Sequence, residues 1–452
     1  MYFKNQKFMV AGMSKSGESS ALFLLERGAD VYIYDDVVSD NINSVMTELS
    51  SLGAHVVTAE KYMDTTLLCD ILVLSPGIPI DHPLPVAFRK QGKAIIGEEE
   101  LGALYLRATA IAVTGTNGKT TTVSMLDSIL KASELNSVAC GNIGSPLVGE
   151  VGNLGFNDYA VIEISSFQLE TLSSLRPHIA VITNISEDHL TRHYNMENYV
   201  FLKSKILRNL RESEFAVLNY DDEIVKGFAR TTKAKVVYFS ANERIDGAYF
   251  ENGGIYFNGE KYFDVNDMTL KGIHNVYNAL ACVAVTHLLG LDKNKVAEAI
   301  CSFKGIKHRI EVIRQVNGVT YIDDSKGTNV GATVKAVEAM NESTVLLLGG
   351  KEKGDDYVPL FQSLKNSKVV HAVLYGENRF KLLNAAIKAG FVSFSLCAEF
   401  DTAVWLSHFI SKPGQTVLLS PASSSFDSFS NYEERGDAFR KLVEGINETL
   451  EE

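Results

Sequence analysis

Short apolar runs, closed by glycine or polar turns, alternate with stretches of helical spacing along most of this 452-residue chain. Residues 7–11 are a first apolar run, a turn follows at 12–17, and a helical pattern covers 18–27. A second run at 30–34 ends at Asp35 and Asp36, and a later one at 71–74 ends at Ser75-Pro76-Gly77. This alternation predicts βαβ units, with parallel strands covered by helices. A second series opens near residue 109, with a strand at 110–114, a glycine-rich turn and a helix to about residue 132. Strands are predicted at 159–164, 179–183 and 215–219, each ending in polar residues, as sites in α/β sheets do. Residues 236–265 carry short alternating runs and Asp-Gly, Asn-Gly and Gly-Gly turns, which predict a small antiparallel insertion. Helices are expected over 275–289 and 293–301. A third series starts near His308, with a hairpin at Asn317-Gly318 and strands at 345–348, 369–375 and 417–419. At about 150 residues per domain, the length suits three α/β domains, here 1–107, 108–308 and 309–452.

Composition narrows the function. Forty-three Lys and Arg against fifty-five Asp and Glu give a net charge of −12. A protein that coats nucleic acid or an anionic membrane needs the opposite excess, so neither partner is expected. A small phosphorylated ligand needs only a local cluster of donors and stays open. The five cysteines, Cys69, Cys140, Cys282, Cys301 and Cys397, are far apart and form no C-x-x-C pair. That disfavours a disulfide framework or a thiolate zinc site and fits a reducing cytoplasm. Lys4 and Lys7 are followed only by a short apolar run, so no signal peptide is expected. No apolar run reaches the 18 or so residues of a membrane span.

The strongest chemical signal is Gly115-Thr116-Asn117-Gly118-Lys119-Thr120 between a strand and a helix. Glycines let backbone N–H groups turn towards phosphates, a lysine reaches the β- and γ-phosphates, and a hydroxyl holds Mg²⁺. Val113 stands where the strict pattern has its first glycine, and an ordinary glycine turn is the alternative. Glu163 ends a predicted strand, where a carboxylate in a phosphate-loop enzyme binds Mg²⁺; a solvated acid at a sheet edge is the alternative. Glu187-Asp188-His189 is followed by His193, and two histidines four apart share a helix face. Zinc is a weak reading, because H-E-x-x-H is absent and no third ligand is evident. A Mg²⁺ or active-site role for His189 and a surface helix start remain.

The loop from Gly12 to Gly17 lies where a dinucleotide fingerprint would lie, but Ser14 replaces its second glycine, which opposes an NAD site. Asp35 or Asp36 could meet a ribose hydroxyl. In the third series, Asp323-Asp324-Ser325-Lys326-Gly327-Thr328-Asn329 and Ser420-Pro421-Ala422-Ser423-Ser424-Ser425 each follow a strand and are expected to open a helix. Anion binding and simple N-capping are equally open there. Gly349-Gly350 with Lys351 and Lys353 is a basic patch or a solvated loop.

Together these pieces resemble the Mur ligases, the ATP-dependent amide-forming enzymes of bacterial cell-wall precursor synthesis, over nearly the whole chain. The T-G-T-N-G-K-T loop, with its missing first glycine, is shared across that family. Residues 163–170 (E-I-S-S-F-Q-L-E), 324–329 (D-S-K-G-T-N) and Ser420-Pro421-Ala422 leading to Ser425 and Asp427 resemble the branch that adds D-glutamate. The resemblance implies a Rossmann-like N-terminal domain for a UDP moiety and a central P-loop ATPase-like domain. A Rossmann-like C-terminal domain would receive the amino acid and close over ATP. It implies a monomer acting on UDP-N-acetylmuramoyl-L-alanine and D-glutamate, through an acyl phosphate, with two Mg²⁺ ions.

By the same matching, Gly115, Thr116, Asn117, Gly118, Lys119, Thr120 and Thr121 bind ATP. Asn275 and Asn278 contact adenine, and Arg309, Asp324 and Lys326 contact phosphate or ribose. Thr120 and Glu163 match the first Mg²⁺, and His189 the second. The family also uses a carbamylated lysine; Lys203 and Lys205 point to different helix faces, and the spacing from His189 and Tyr199 selects Lys203. Lys15, Ser16, Asp36 and Gly77 would meet the UDP moiety, and Asn142 and His189 the muramoyl-alanine. Thr328, Lys353, Ser425 and Phe426 match D-glutamate contacts, as does Tyr432, where a phenylalanine is common. Two competing functions are a nucleotide-dependent switch without ligation, opposed by the polar strand ends in all three series, and an NAD-dependent oxidoreductase, opposed by Ser14.

Overall fold

The computed structural model describes residues 3, 4, 6–36, 40–352 and 356–447. The chain forms two compact units, Met1–Phe303 and Lys304–Glu452. The expected boundary near 107 falls inside the first unit, between two of its sheets; the one near 308 falls just after the second unit begins.

The first sheet holds β1 (Lys7–Ala11), β2 (Asp30–Tyr34), β3 (His55–Val56), β4 (Ile71–Leu74) and β5 (Ala94–Gly97), in the order β3-β2-β1-β4-β5. Every pairing in it is parallel. Val10, Val31, Ile33, Leu72 and Val73 are buried, as strands covered on both faces require. The order reverses between β1 and β4, which opens a crevice at their carboxyl ends. The chain turns there at Gly12, whose φ is +87° and where a Cβ would lie 2.7 Å from that of Ser75. Only glycine fits.

The second sheet holds β6 (Thr109–Thr114), β7 (Ser137–Gly141), β8 (Tyr159–Glu163), β9 (Ile179–Ile182), β10 (Phe215–Asn219), β11 (Lys235–Ser240), β12 (Gly247–Glu251), β13 (Gly254–Phe257) and β14 (Glu260–Asp264). Its order is β14-β13-β12-β11-β10-β9-β6-β8-β7. The run at 236–265, expected as a small antiparallel insertion, does form antiparallel hairpins, and it also extends this sheet. β11 joins β10, and β12 joins β11, in parallel; only β12-β13-β14 is antiparallel. The Asn252-Gly253 and Asn258-Gly259 turns carry positive φ at both residues, the two-residue hairpin geometry whose twist matches the strands. Helices Lys119–Ala132 and Ile273–Leu288 pack on one face through Met125, Leu126, Ala279 and Val283.

Among its described residues the second unit has one sheet: β15 (Glu311–Val316), β16 (Val319–Asp323), β17 (Thr344–Gly349), β18 (Val369–Tyr375), β19 (Phe394–Leu396) and β20 (Thr416–Leu419), in the order β15-β16-β20-β17-β18-β19. β15 and β16 form the hairpin expected at Asn317-Gly318, with positive φ at both residues. Asn329 caps the helix Val330–Glu338 through a bond from the Ala332 N–H. The Ser420 segment was expected to open a helix too. It does not: residues 420–431 form a loop and the next helix is Tyr432–Glu444. The strained φ of +57° at Ala422 and the Arg435 hydrogen bond to the Ser423 carbonyl hold this stretch open. Among the described residues no helix is long and apolar enough to cross a membrane.

Candidate active site

β6 lies between β9 and β8, so the loop after Thr114 is flanked by the ends of both. Gly115 (φ +142°) and Gly118 (φ +84°) make the turn, and a Cβ at Gly115 would lie 2.0 Å from the Thr183 hydroxyl. The loop is braced from β9. The N–H groups of Thr116 and Asn117 donate to the Asn184 backbone oxygen (2.8 Å) and Oδ1 (2.9 Å), and Thr183 Oγ1 donates to the Asn117 carbonyl at 2.6 Å. Lys119 opens the following helix and donates to the Thr116 carbonyl at 2.9 Å. Thr120 and Thr121 follow in the same first turn, at the helix's positive end.

Glu163, at the end of β8, is 2% exposed. Its Oε1 accepts from Asn142 Nδ2 at 2.7 Å, while its Oε2 is buried without a partner. A buried carboxylate oxygen left without a donor is costly unless a cation meets it. With the Thr120 hydroxyl at the neighbouring helix start, this donor set fits a hard divalent ion.

Lys203, on the helix Met196–Ser204, is 1% exposed and donates to Thr114 Oγ1 (3.1 Å) and the Gly115 carbonyl (2.8 Å). Burial, then the nearby Lys119 charge, lowers its pKa to about 7 against the pull of Asp188 and Glu163. Lys205 turns elsewhere, to the carbonyls of Leu169 and Glu170. His189 precedes a single helical turn, Leu190–His193, and has φ +53°. Its ring lies 4.9 Å from that of Phe167 and its Nε2 3.5 Å from Asp188 Oδ2. His189 stands at the N-cap of the short helix, whereas His193 is buried against Ser166 Oγ (2.9 Å) and Glu170 (3.6 Å), and both rings lie against that of Phe167.

A cavity of about 500 Å³ adjoins the loop, lined by Gly118, Asn184, Asp222, His274, Tyr277 and Asn278 among others. Asn278 Oδ1 accepts from Thr122 Oγ1, and its amide donates to Asn275. At the crevice of the first sheet, Lys15 and Ser16 open the helix Lys15–Glu26, and Gly77 lies in the turn after β4 with open space where a Cβ would stand. Asp35 accepts the Met13 N–H at 2.6 Å and so braces the Gly12 loop; Asp36, more exposed, meets His82 Nε2 at 3.2 Å.

In the second unit, Asp324 is buried. Burial raises its carboxyl to about 7, against the Ser420 hydroxyl (2.6 Å), the Ile310 N–H and the charge of Arg309. Arg309 is exposed, and Lys326 Nζ lies 5.8 Å from the centre of the Tyr432 ring. Ser425 is buried beside an exposed Phe426, and Thr328 closes the Lys326 turn. Lys353 lies outside the described residues.

Sequence reasoning missed Asn184, Tyr199 and Arg435. Tyr199 shares a hydrogen bond with Thr116 Oγ1 at 2.9 Å. Arg435 is fully buried and bonds Ser325 Oγ, the Ser325 carbonyl and the Ser423 carbonyl. Asn184 alone left a signal, as a polar residue just past a predicted strand in the central sheet.

Three models from one family match the chain: the Mur ligase MurD-like N-terminal domain over residues 6–97, the Mur ligase middle domain over 113–286, and the Mur ligase glutamate ligase domain over 308–423. The UDP-N-acetylmuramoylalanine–D-glutamate ligase of Geotalea uraniireducens is 39% identical over 99% of both chains. The enzyme of that name from Clostridioides difficile is 36% identical over 99% of this chain and 100% of its own. The UDP-N-acetylmuramate-alanine ligase of Thermotoga maritima has a similar structure, with a TM-score of 0.55 at 20% identity over 97% of this chain and 99% of its own. The ligase MurF of Acinetobacter baumannii matches with a TM-score of 0.56 at 21% identity, over 83% of this chain and 85% of its own.

Proposed function

This chain belongs to the Mur ligase family, and from that premise we propose that it joins D-glutamate to UDP-N-acetylmuramoyl-L-alanine at the expense of ATP. The observation that carries the ligase chemistry is the pairing of a phosphate loop after β6 with Glu163 at the end of β8, one carboxylate oxygen buried and unpartnered. The full-length likeness to D-glutamate ligases supports the choice of amino acid.

The reaction needs two anions to meet. The substrate carboxylate attacks the γ-phosphorus and ADP leaves, giving an acyl phosphate. The amine of D-glutamate then adds to that carbonyl, loses a proton, and expels phosphate through a tetrahedral intermediate. The N–H groups at the start of the helix Lys119–Ala132, together with the Lys119 ammonium, hold the β- and γ-phosphates and offset the negative charge. Thr120 and Glu163 would hold one Mg²⁺, with His189 and Lys203 at a second; when bound, the ions neutralise charge between the two anions. Asn275 and Asn278 would meet adenine, and Lys15, Ser16, Asp36 and Gly77 the UDP moiety. Asn142, which holds Glu163 Oε1 and leaves Oε2 for the metal, would meet the muramoyl-alanine. Arg309, Asp324 and Lys326 would serve ATP; Thr328, Lys353, Ser425, Phe426 and Tyr432 would serve D-glutamate.

Lys203 suits carbamylation. An amine whose pKa is near 7 is about half neutral at neutral pH, against a trace for an ordinary lysine, and only the neutral amine adds to CO₂, forming a carbamate and releasing one proton. The enzyme would act as a monomer in the cytoplasm, where nucleotide-linked precursors are made. The test is phosphate release with ATP, Mg²⁺ and UDP-N-acetylmuramoyl-L-alanine while the amino acid is varied. D-glutamate should dominate. Equal or greater turnover with L-lysine, meso-diaminopimelate or D-alanyl-D-alanine would sink the assignment.

A further inference from the structure

We propose that Arg192 is a positioning residue that fixes the UDP-facing turn at 76–81 against the segment carrying His189 and Lys203. This rests on the functional reading above and deepens it.

Arg192 belongs to the short helix Leu190–His193 in the second-sheet region. Its guanidinium makes a two-point contact with Glu170, Nε to Oε1 at 3.0 Å and Nη2 to Oε2 at 2.6 Å. Nη2 also donates to the Ile78 carbonyl at 3.0 Å and the Pro76 carbonyl at 3.4 Å. Those carbonyls flank Gly77, the residue expected to approach the UDP moiety. One planar group therefore ties together the turn after β4, the helix Ser166–Thr171 and the His189 segment. The side chains of Arg192 and Glu170 are only 15% and 9% exposed, so the pair is shielded from the screening that weakens surface ion pairs.

The surroundings extend the tie. The Phe167 ring lies 4.9 Å from the guanidinium carbon and 4.9 Å from the His189 ring. Glu170 Oε1 is also 3.6 Å from His193 Nδ1, and His193 holds Ser166 Oγ. The next residue, Tyr194, donates its hydroxyl to Asp81, at the far end of the same turn. Both contacts pull residues 76–81 towards the His189 segment. The geometry needs an arginine, because a lysine ammonium lacks the planar fork that meets a carboxylate edge and a carbonyl together. A reacting carboxylate is held at one end of a long substrate whose other end is the UDP moiety. Misplacing the UDP end then weakens binding of that substrate and leaves the ATP loop alone.

The experiment uses the full chain with Arg192→Ala, Arg192→Lys and Tyr194→Phe. Arg192→Ala should raise KM for UDP-N-acetylmuramoyl-L-alanine by about tenfold or more while KM for ATP stays within about twofold, a split that marks lost substrate binding. Arg192→Lys should recover part of that loss, and Tyr194→Phe should show a smaller rise in the same constant. Calorimetric affinity for the UDP-precursor, measured without ATP, should fall in parallel. If the KM values for all three substrates rise together with a lowered melting temperature, Arg192 is merely structural and the proposal fails. It fails also if KM for the UDP-precursor is unchanged. A wild-type enzyme that binds the UDP-precursor in an Arg192-dependent way but does not ligate D-glutamate would overturn the amino-acid assignment and leave this inference standing. Absence of wild-type binding to the UDP-precursor would overturn both.

Discussion

Lys119 and Lys203 are two lysines at one loop, and their environments give them opposite tasks. Lys119 is half-exposed and rests on the carbonyl of Thr116, an acceptor that phosphate oxygens can replace. Lys119→Ala should keep its melting temperature within a few degrees and lose at least about a hundredfold in turnover, since it removes charge stabilisation at the transferred phosphoryl group. Phosphate release checks this, and near-wild-type turnover would show that the loop is not the phosphate site. Lys203 is buried, and its depressed pKa of about 7 makes it a stability term as well. Between pH 7 and the ordinary lysine value of about 10.4, the unfolded chain binds a proton at this position that the folded chain does not, so this group makes stability rise with pH. The stability of Lys203→Met relative to wild type should therefore be highest below pH 7 and decline as the pH approaches 10. Parallel denaturant titrations in carbonate-free buffer measure it; a difference independent of pH would show that the amine is charged when folded. Activity of Lys203→Ala should be severely impaired and partly restored by a short-chain carboxylate, with Lys205→Ala much less affected. The phosphate loop was legible because its chemistry is contiguous. Tyr199 and Arg192 were not, because each acts on a partner distant in sequence that only the fold brings near.

At the scale of elements, the turn after β6 shows why glycine positions differ in consequence. Gly115 and Gly28 both have positive φ, but a Cβ at Gly115 would strike Thr183 Oγ1 at 2.0 Å, while one at Gly28 meets nothing within 4 Å. Gly28→Ala should cost only the left-handed strain, about 1–2 kcal/mol. Gly115→Ala carries that strain and must also push Thr183 away from the Asn117 carbonyl, deforming the loop itself. Its stability loss should exceed that of Gly28→Ala, and KM for ATP should rise only in Gly115→Ala. Equal effects from the two would mean that the Thr183 brace does not shape the nucleotide site. Element identity was legible wherever apolar runs and turn chemistry coincided, as at β1, β2, β4, β10 and the Asn317-Gly318 hairpin. The strands β3, β5, β7 and β19 escaped because each carries half-buried or exposed positions, so no continuous apolar run marks them. The 236–265 run was legible only in part, for a related reason. Its asparagine-glycine turns correctly signal hairpins, but nothing local reveals that β11 pairs in parallel with β10 and carries the hairpins onto the main sheet.

The whole molecule is acidic, at −12, yet its proposed ligands are all anions. The sign of the net charge does not decide this, because recognition rests on donors fixed locally: the Lys119 ammonium and the helix starts at Lys15 and Lys119. Division into two compact units bears on how ligands register in the protein. The residues expected to meet the UDP-precursor, Lys15, Ser16, Asp36, Gly77, Asn142 and His189, all lie in Met1–Phe303. A ligand that binds only the folded form stabilises the part it binds, by about 2.7 kcal/mol at a hundred times its Kd, and slows local opening there. Hydrogen exchange followed by mass spectrometry should therefore show that UDP-N-acetylmuramoyl-L-alanine alone protects peptides around residues 12–17, 76–81 and 142–144. Peptides of Lys304–Glu452 should exchange as they do without ligand. Protection confined to the second unit would mean that the crevice between β1 and β4 is not the UDP site, whatever the turnover of the enzyme. With Arg192→Ala, protection at 76–81 should weaken more than that at 142–144, because the altered side chain holds that turn directly.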